Sequence, residues 1–224
     1  MNRLCVIIFG PPGSGKGTQA ELLRDYFGVA HISTGDMLRE SVASGDARGR
    51  EIAAIMNSGN LVPDEMVNCM VEERIEQPDC AAGFILDGYP RTVAQAKLLL
   101  ELLGREGIAP VVVHLRVDYN EIVTRLSSRR VCPADGAVYN LITNPPAVPD
   151  VCDRCGSKLL IRKDDRPEVV RERLSAYGRK STPVLEFLET AGYRPFEVEG
   201  GSRTPQAIVR EIVGLIEAHQ GKAA

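Results

Sequence analysis

A chain of 224 residues, 44% hydrophobic and 25% charged, is long enough for one substantial core with a small appendage and has the balance of a soluble globular protein. A net charge of -3 excludes a general nucleic-acid binder, which carries a basic surplus. The early apolar run Leu4 to Phe9 is too short to span a membrane, and glycines and a lysine follow it where a signal peptide would place a cleavage site. The expectation is a cytoplasmic protein with neither nucleic acid nor membrane as partner.

In chain order, LCVIIF (Leu4 to Phe9) has the continuous apolar character of a strand buried on both faces. GPPGSGKGT (Gly10 to Thr18) follows at once and opens a helix predicted over Lys16 to Tyr26. Glycines let backbone N–H groups turn inward, the helix start adds the positive end of its dipole, and Lys16 can reach the outer phosphates of a nucleotide. The usual phosphate-loop pattern places Ser or Thr directly after the lysine; here Gly17 intervenes and Thr18 comes one later. A Gly/Pro turn that merely starts a helix is the alternative, but strand, spacing and lysine occur together and predict a bound nucleoside triphosphate.

Residues from about Ser33 to Val62 read as short helices. FILDGYPR (Phe84 to Arg91) places Asp87 at the end of a buried strand, where a carboxylate holds Mg²⁺ directly or through water. The alternative for Asp87 is a turn or capping residue. Helical patterns cover Thr92 to Leu103 and Asn120 to Arg129; PVVVHLRV reads as a buried strand and RPFEVEG as a weaker last one. Such β-α-β alternation implies a parallel sheet covered by helices.

The segment Arg130 to Asp165 breaks the alternation, with three of the six cysteines and four prolines. Its spacing is Cys132-x₂-Asp135, sixteen residues, then Cys152-x₂-Cys155. With cysteine in place of the aspartate this is a two-knuckle zinc pattern, and Gly136 and Gly156 permit the tight turns. Zinc accepts a carboxylate oxygen, and a closed four-ligand site is structural. A Cys152–Cys155 redox pair and metal-free thiols are alternatives, as is iron in place of zinc. Cys5, Cys69 and Cys80 are expected to be small buried side chains. His31, His114 and His219 lie in no recognisable catalytic pattern.

The motifs GPPGSGKGTQA, STGDMLR, GFILDGYPRT, RLSSRR, RKDD and RERLSAY, in this order over about Leu4 to Val213, resemble those of the adenylate kinases of the long-lid type. The resemblance implies an α/β fold of the P-loop nucleoside monophosphate kinase kind: a parallel five-stranded sheet with helices on both faces, plus AMP-binding and lid insertions. It places the core at 1–32, 63–127 and 166–224, the AMP-binding insertion at 33–62 and the lid at 128–165. The implied activity is reversible phosphoryl transfer from Mg-ATP to AMP giving two ADP, in adenine nucleotide homeostasis. The implied state is a monomer, with ATP, AMP and ADP as partners and Mg²⁺ and a structural lid Zn²⁺ as cofactors.

Residue by residue, the resemblance puts the ATP phosphates on Gly13, Ser14, Gly15, Lys16, Gly17 and Thr18. Arg125 and the backbone around Ser202 and Arg203 would border the ATP base, with Val138 and Tyr139 approaching from the lid. AMP would meet Thr34, Arg39, Leu61, Val62, Gly88, Arg91 and Gln95, and Arg162 and Arg173 would serve both nucleotides. Lys16, Asp87, Arg91, Arg129, Arg162 and Arg173 would be the catalytic set. Metal-bearing lids of the family hold four cysteines or three and an aspartate; in this sequence Asp135 stands at the second position, beside Cys132, Cys152 and Cys155. Arg125 and Arg129, four apart, are expected on one helix face.

Phosphoryl transfer explains the arginines, because its catalysis is mostly positioning and charge stabilisation, and arginine stays charged and grips two oxygens at once. Closing a lid keeps water from the transferring phosphate. A kinase for UMP, CMP or GMP and a non-catalytic nucleotide sensor are the competing readings; the long lid, Thr34 and Gln95 favour AMP, while the lid arginines and Asp87 favour catalysis.

Overall fold

The structure is a computed structural model that describes residues 3–222. Its elements in chain order are β1 (Leu4–Phe9), α1 (Lys16–Phe27), β2 (Ala30–Ser33), α2 (Thr34–Ala43), α3 (Ala47–Asn57), α4 (Asp64–Ile75), β3 (Gly83–Asp87), α5 (Val93–Arg105) and β4 (Val111–Arg116). There follow α6 (Tyr119–Ser127), β5 (Arg129–Val131), β6 (Val138–Asn140), α7 (Pro167–Ala176), a π-helical turn (Tyr177–Ser181), α8 (Thr182–Thr190), β7 (Phe196–Glu199) and α9 (Pro205–Lys222). No described helix is long and apolar enough to cross a membrane.

Five strands form one parallel sheet in the order β2-β3-β1-β4-β7. Side chains alternate across it. Ile7 and Phe9 of β1 join Phe84, Leu86, Leu99 and Leu188 on one face, whereas Val6 and Ile8 join Leu23, Ile85, Val113 and Ile212 on the other. Both faces are therefore covered by helices, which is why the central strands carry unbroken apolar runs. The carboxyl ends of β1 and β3, in register through Ile8 and Asp87, bring Gly10 and Gly88 to the same rim. Ligands of open α/β sheets bind outside that rim.

The apolar patterns pick out four of these strands. The fifth, β2, is a four-residue edge strand whose residues alternate between buried and half-buried, a signal too brief to separate from a loop. A second correction concerns Arg129. The helix predicted to Arg129 ends at Ser127, so Arg125 and Arg129 do not share a helix face. The hydroxyls of Ser127 and Ser128 both turn back to donate to the Thr124 carbonyl, the local competition by which serine ends a helix, and Arg129 begins β5 instead. A third concerns the cysteines: Cys5 and Cys80 are buried, but Cys69 is exposed on α4, its thiol 3.3 Å from Glu73 Oε1.

The segment between α6 and α7 holds the antiparallel pair β5–β6 and a small core of its own, Cys132, Ala137, Tyr139, Cys152 and Leu159.

Candidate functional site

The loop after β1 owes its shape to glycine. Gly13 and Gly15 have φ of +83° and +94°, and a Cβ on Gly13 would come within 2.8 Å of Leu126 Cγ. Gly15 then caps α1 with no side-chain hydrogen bond to its first turn, which leaves the helix start suited to an anion. Lys16 lies across it, its Nζ donating to the carbonyls of Gly10 at 2.7 Å and Pro11 at 3.0 Å. Ser14 is buried in the loop, its Oγ without a hydrogen-bond partner among the described residues, whereas Thr18 is exposed on the first turn of α1. An ammonium resting on carbonyls beside a helix start that has no side-chain cap can receive a phosphate chain.

Burial pushes the Lys16 ammonium down to about 8; Asp87 opposes this, and Arg91, Arg173 and Arg129 add to it. The charged lysine in the free protein is thus present below that value and lost above it. We expect kcat/KM for ATP, which reports the free enzyme, to fall as pH rises through about 8. Initial rates at low ATP across pH 6 to 10 measure this, and a flat profile would contradict a charged Lys16 as the ATP ligand.

Asp87 ends β3 beside this lysine. Burial alone would raise its carboxyl, but His31, Lys16 and Arg91 outweigh burial and hold it below the ordinary range. His31 Nε2 lies 3.7 Å from Asp87 Oδ2, a neighbour that the sequence patterns did not suggest. The ionised carboxylate at the rim is a suitable donor for a hard cation such as Mg²⁺, in keeping with the oxygen chemistry such ions prefer.

Two adjoining clefts share Gly59, Leu61, Gly88, Arg91 and Arg173 as a common wall. The first is lined by Gly10, Pro12 and Lys16 of the loop together with Tyr89, Pro90 and Tyr177; the second by Thr34, Arg39, Val62, Gln95 and Asp164 among others. Thr34 donates to the Gly88 carbonyl at 2.8 Å, and Arg91 Nε donates to the same carbonyl at 2.7 Å. Burial, then Arg173, push the Arg91 guanidinium down to about 10. Burial, then Arg39 and Arg129, push Arg162 to about 10, and its Nε makes no hydrogen bond among the described residues.

These arginines are partly neutralised from within. Asp165, with its side chain fully buried, accepts from Arg129 Nε at 2.7 Å and from Arg173 at 3.2 Å. Arg173 also reaches Asp164 Oδ2 at 3.0 Å. Burial would raise Asp164, yet Arg173, Arg129, Arg39 and Arg162 together lower it. Beside Arg162, the two aspartates of RKDD, Asp164 and Asp165, gather the guanidiniums of Arg129 and Arg173.

On the far side of the loop, Arg125 donates to the carbonyls of Ser14 at 3.3 Å and Gly200 at 2.6 Å and pairs with Glu121. Glu121 also accepts from the Ser202 N–H at 3.0 Å, so one carboxylate joins the two residues expected at the ATP base. Its i,i+4 spacing to Arg125 was visible in the sequence. Tyr139 does not line either cleft: its hydroxyl accepts from the Asp153 N–H at 2.8 Å and sits 3.5 Å from Cys152 Sγ inside the segment between α6 and α7, while Val138 is exposed.

The four residues of the cysteine segment converge. Ligand atoms of Cys132, Asp135, Cys152 and Cys155 all lie within 4.8 Å of one another. Cys132 and Cys155 sulfurs are 3.4 Å apart, and Cys152 Sγ is 3.3 Å from Asp135 Oδ2. The two halves repeat one backbone pattern. Gly136 N–H donates to the Cys132 carbonyl and Gly156 N–H to the Cys152 carbonyl, at 3.1 and 2.9 Å. The Cys132 and Cys152 N–H groups in turn donate to Ala137 and Ser157 at 2.9 and 2.8 Å. The Ala137 N–H, then Cys132, hold the Asp135 carboxyl low, so an oxygen anion stands among three sulfurs. Zinc takes such a mixed set at tetrahedral distances.

Known proteins are similar in sequence to most of this chain. The family described as "Adenylate kinase" matches residues 8–193. A protein called adenylate kinase from Thermosipho melanesiensis is 44% identical over 214 residues, covering 94% of this chain and 98% of its own. Counterparts of the same name from Archaeoglobus fulgidus and Anaeromyxobacter dehalogenans are 43% and 45% identical, each over about 95% of this chain and at least 97% of their own. A phosphate loop, a second cleft sharing two arginines with it, and likeness of this extent agree: the chain belongs to the adenylate kinase family.

Proposed function

We propose that the protein catalyses reversible transfer of the terminal phosphoryl group of Mg-ATP to AMP, giving two ADP, and so serves adenine nucleotide homeostasis. The observation that carries this is the common wall of the two clefts: Arg91 and Arg173 line both the cleft that holds Lys16 and the cleft that would hold AMP. A phosphoryl group passing from one side to the other would cross between them.

In this reading the loop from Gly13 to Thr18, with Ser14, Gly15 and Gly17, binds the ATP phosphates, and Lys16 leaves its carbonyls to follow the transferring charge. Arg125 and the Ser202 segment border the ATP base, with Val138 approaching from the lid and Tyr139 acting through its backbone. Thr34, Arg39, Leu61, Val62, Gly88 and Gln95 form the AMP site. Arg129 and Arg162 act from the lid ends with Arg91 and Arg173. Asp87 would hold Mg²⁺, which when bound offsets charge on the phosphates. No side chain is needed as a covalent nucleophile; the arginines orient the two phosphates in line and stabilise the charge that shifts between them.

The division into core (1–32, 63–127, 166–224), AMP-binding insertion (33–62) and lid (128–165) follows these roles. We further take the lid to be of the metal-bearing type, with Cys132, Asp135, Cys152 and Cys155 holding structural Zn²⁺. The protein would act as a cytoplasmic monomer.

A coupled assay with Mg-ATP and AMP, UMP, CMP or GMP tests the function. AMP should be the preferred acceptor and omission of Mg²⁺ should abolish transfer. Absence of transfer at saturating Mg-ATP and AMP would leave a nucleotide sensor as the better reading.

A further inference from the structure

Gln95, in the first turn of α5, is buried and lines the second cleft. Both ends of its amide are already engaged. Nε2 donates to Asp64 Oδ1 at 2.9 Å, and Oε1 accepts from the Arg91 N–H at 2.7 Å. The two partners are chemically opposite. A carboxylate only accepts, and a backbone N–H only donates. Turning the amide over would set oxygen against oxygen and N–H against N–H in a buried place, so a single orientation survives. Asp64 is itself held: its other oxygen accepts from the Thr92 hydroxyl at 2.7 Å, and Thr92 Oγ1 accepts from the Gln95 N–H at 3.2 Å as the cap of α5.

One amide N–H and one oxygen lone pair of Gln95 remain. The pairing edge of adenine offers an amino donor and a ring-nitrogen acceptor, which match an oxygen and an N–H in one order. Hypoxanthine offers a carbonyl acceptor and a ring N–H donor, the same shape with the polarity reversed. It would need the amide turned over.

We propose that Asp64, together with the Arg91 N–H, selects adenine over 6-oxopurines by locking the orientation of the Gln95 amide. Asp64 touches no substrate; it is a positioning residue that acts through Gln95. The inference rests on the second cleft being the AMP site.

The test compares kcat/KM for AMP and for inosine monophosphate in the wild type, Asp64→Asn, Thr92→Val and Gln95→Leu. Asparagine has the aspartate's shape but can donate as well as accept, so the oxygen-against-oxygen conflict of the turned amide is lifted and only the Arg91 N–H still opposes it. Asp64→Asn should lower the AMP-to-inosine-monophosphate preference by about tenfold or more, through KM for AMP, with KM for ATP unchanged. Thr92→Val removes the cap but spares the Asp64–Gln95 bond; it should lower thermal stability and leave the preference in place. Gln95→Leu should raise KM for AMP and discriminate neither base. Asp64→Ser, which also removes the carboxylate, is read in the same way if the asparagine variant does not fold. An unchanged preference in the Asp64 variants, or an equal change in Thr92→Val, overturns the lock while an effect of Gln95→Leu keeps the AMP site. No effect of Gln95→Leu on AMP would overturn the site itself.

Discussion

Lys16→Met is expected to lower kcat by about a thousandfold while the protein stays folded, the scale seen when one preorganised donor to transition-state charge is removed. Methionine keeps the length and the apolar stem and deletes the ammonium. In the free protein that ammonium rests on the Gly10 and Pro11 carbonyls, with Arg91, Arg129 and Arg173 as like-charged neighbours. Its depressed proton affinity says that the charge is tolerated there rather than favoured. Thermal stability should therefore be unchanged or slightly higher in the variant. A coupled assay and a thermal melt on the same sample check both halves. Loss of less than tenfold in kcat would remove Lys16 from the catalytic set.

Cys152→Ser should have the largest effect on stability. Cys152 is buried in the lid's own small core, 3.3 Å from Asp135 Oδ2 and 3.5 Å from the Tyr139 hydroxyl. Five side chains form that core, and two of them are proposed metal ligands, so without the ion little apolar packing is left to hold the lid. Loss of about 4 kcal/mol would lower Tm by roughly 10 °C for a chain of this size. Chelation of the wild type should reproduce the shift and add nothing to the variant. Lid arginines would be delivered less often, so KM for ATP should rise more than the chemical step slows. Metal analysis of protein purified without chelator should find about one zinc or iron per chain in the wild type and none in the variant; a metal-free wild type would refute the site.

The legible parts of this protein are the local ones. The phosphate loop announces itself because strand, glycine turn and helix start are contiguous, and the central strands because burial on both faces makes them continuously apolar. The four-ligand cluster was readable because each half is a short knuckle, Cys132 to Asp135 and Cys152 to Cys155, even though the halves are distant in sequence. What stayed hidden depends on partners far along the chain. Asp165 meets Arg129 from 36 residues away, and Asp64 meets Gln95 from 31. Nothing local to either aspartate marks it as more than a surface acid. The helical pattern runs on to Arg129, but α6 ends at Ser127 because two serine hydroxyls turn back onto Thr124. β2 was missed because an edge strand of four residues has too few turns of the alternating pattern.

The buried Asp165, held between Arg129 and Arg173, bears on how the enzyme lets go. Bare guanidiniums would seize any polyphosphate, and the attraction that steadies the transferring group would equally retain both ADP molecules. With the Asp164 and Asp165 carboxylates already seated among them, the positive hollow that an arriving nucleotide meets is partly neutralised. The guanidiniums therefore attract a phosphate less strongly than bare charges would, and release it more readily. That evens the two directions of a reaction whose substrates and products carry nearly the same charge.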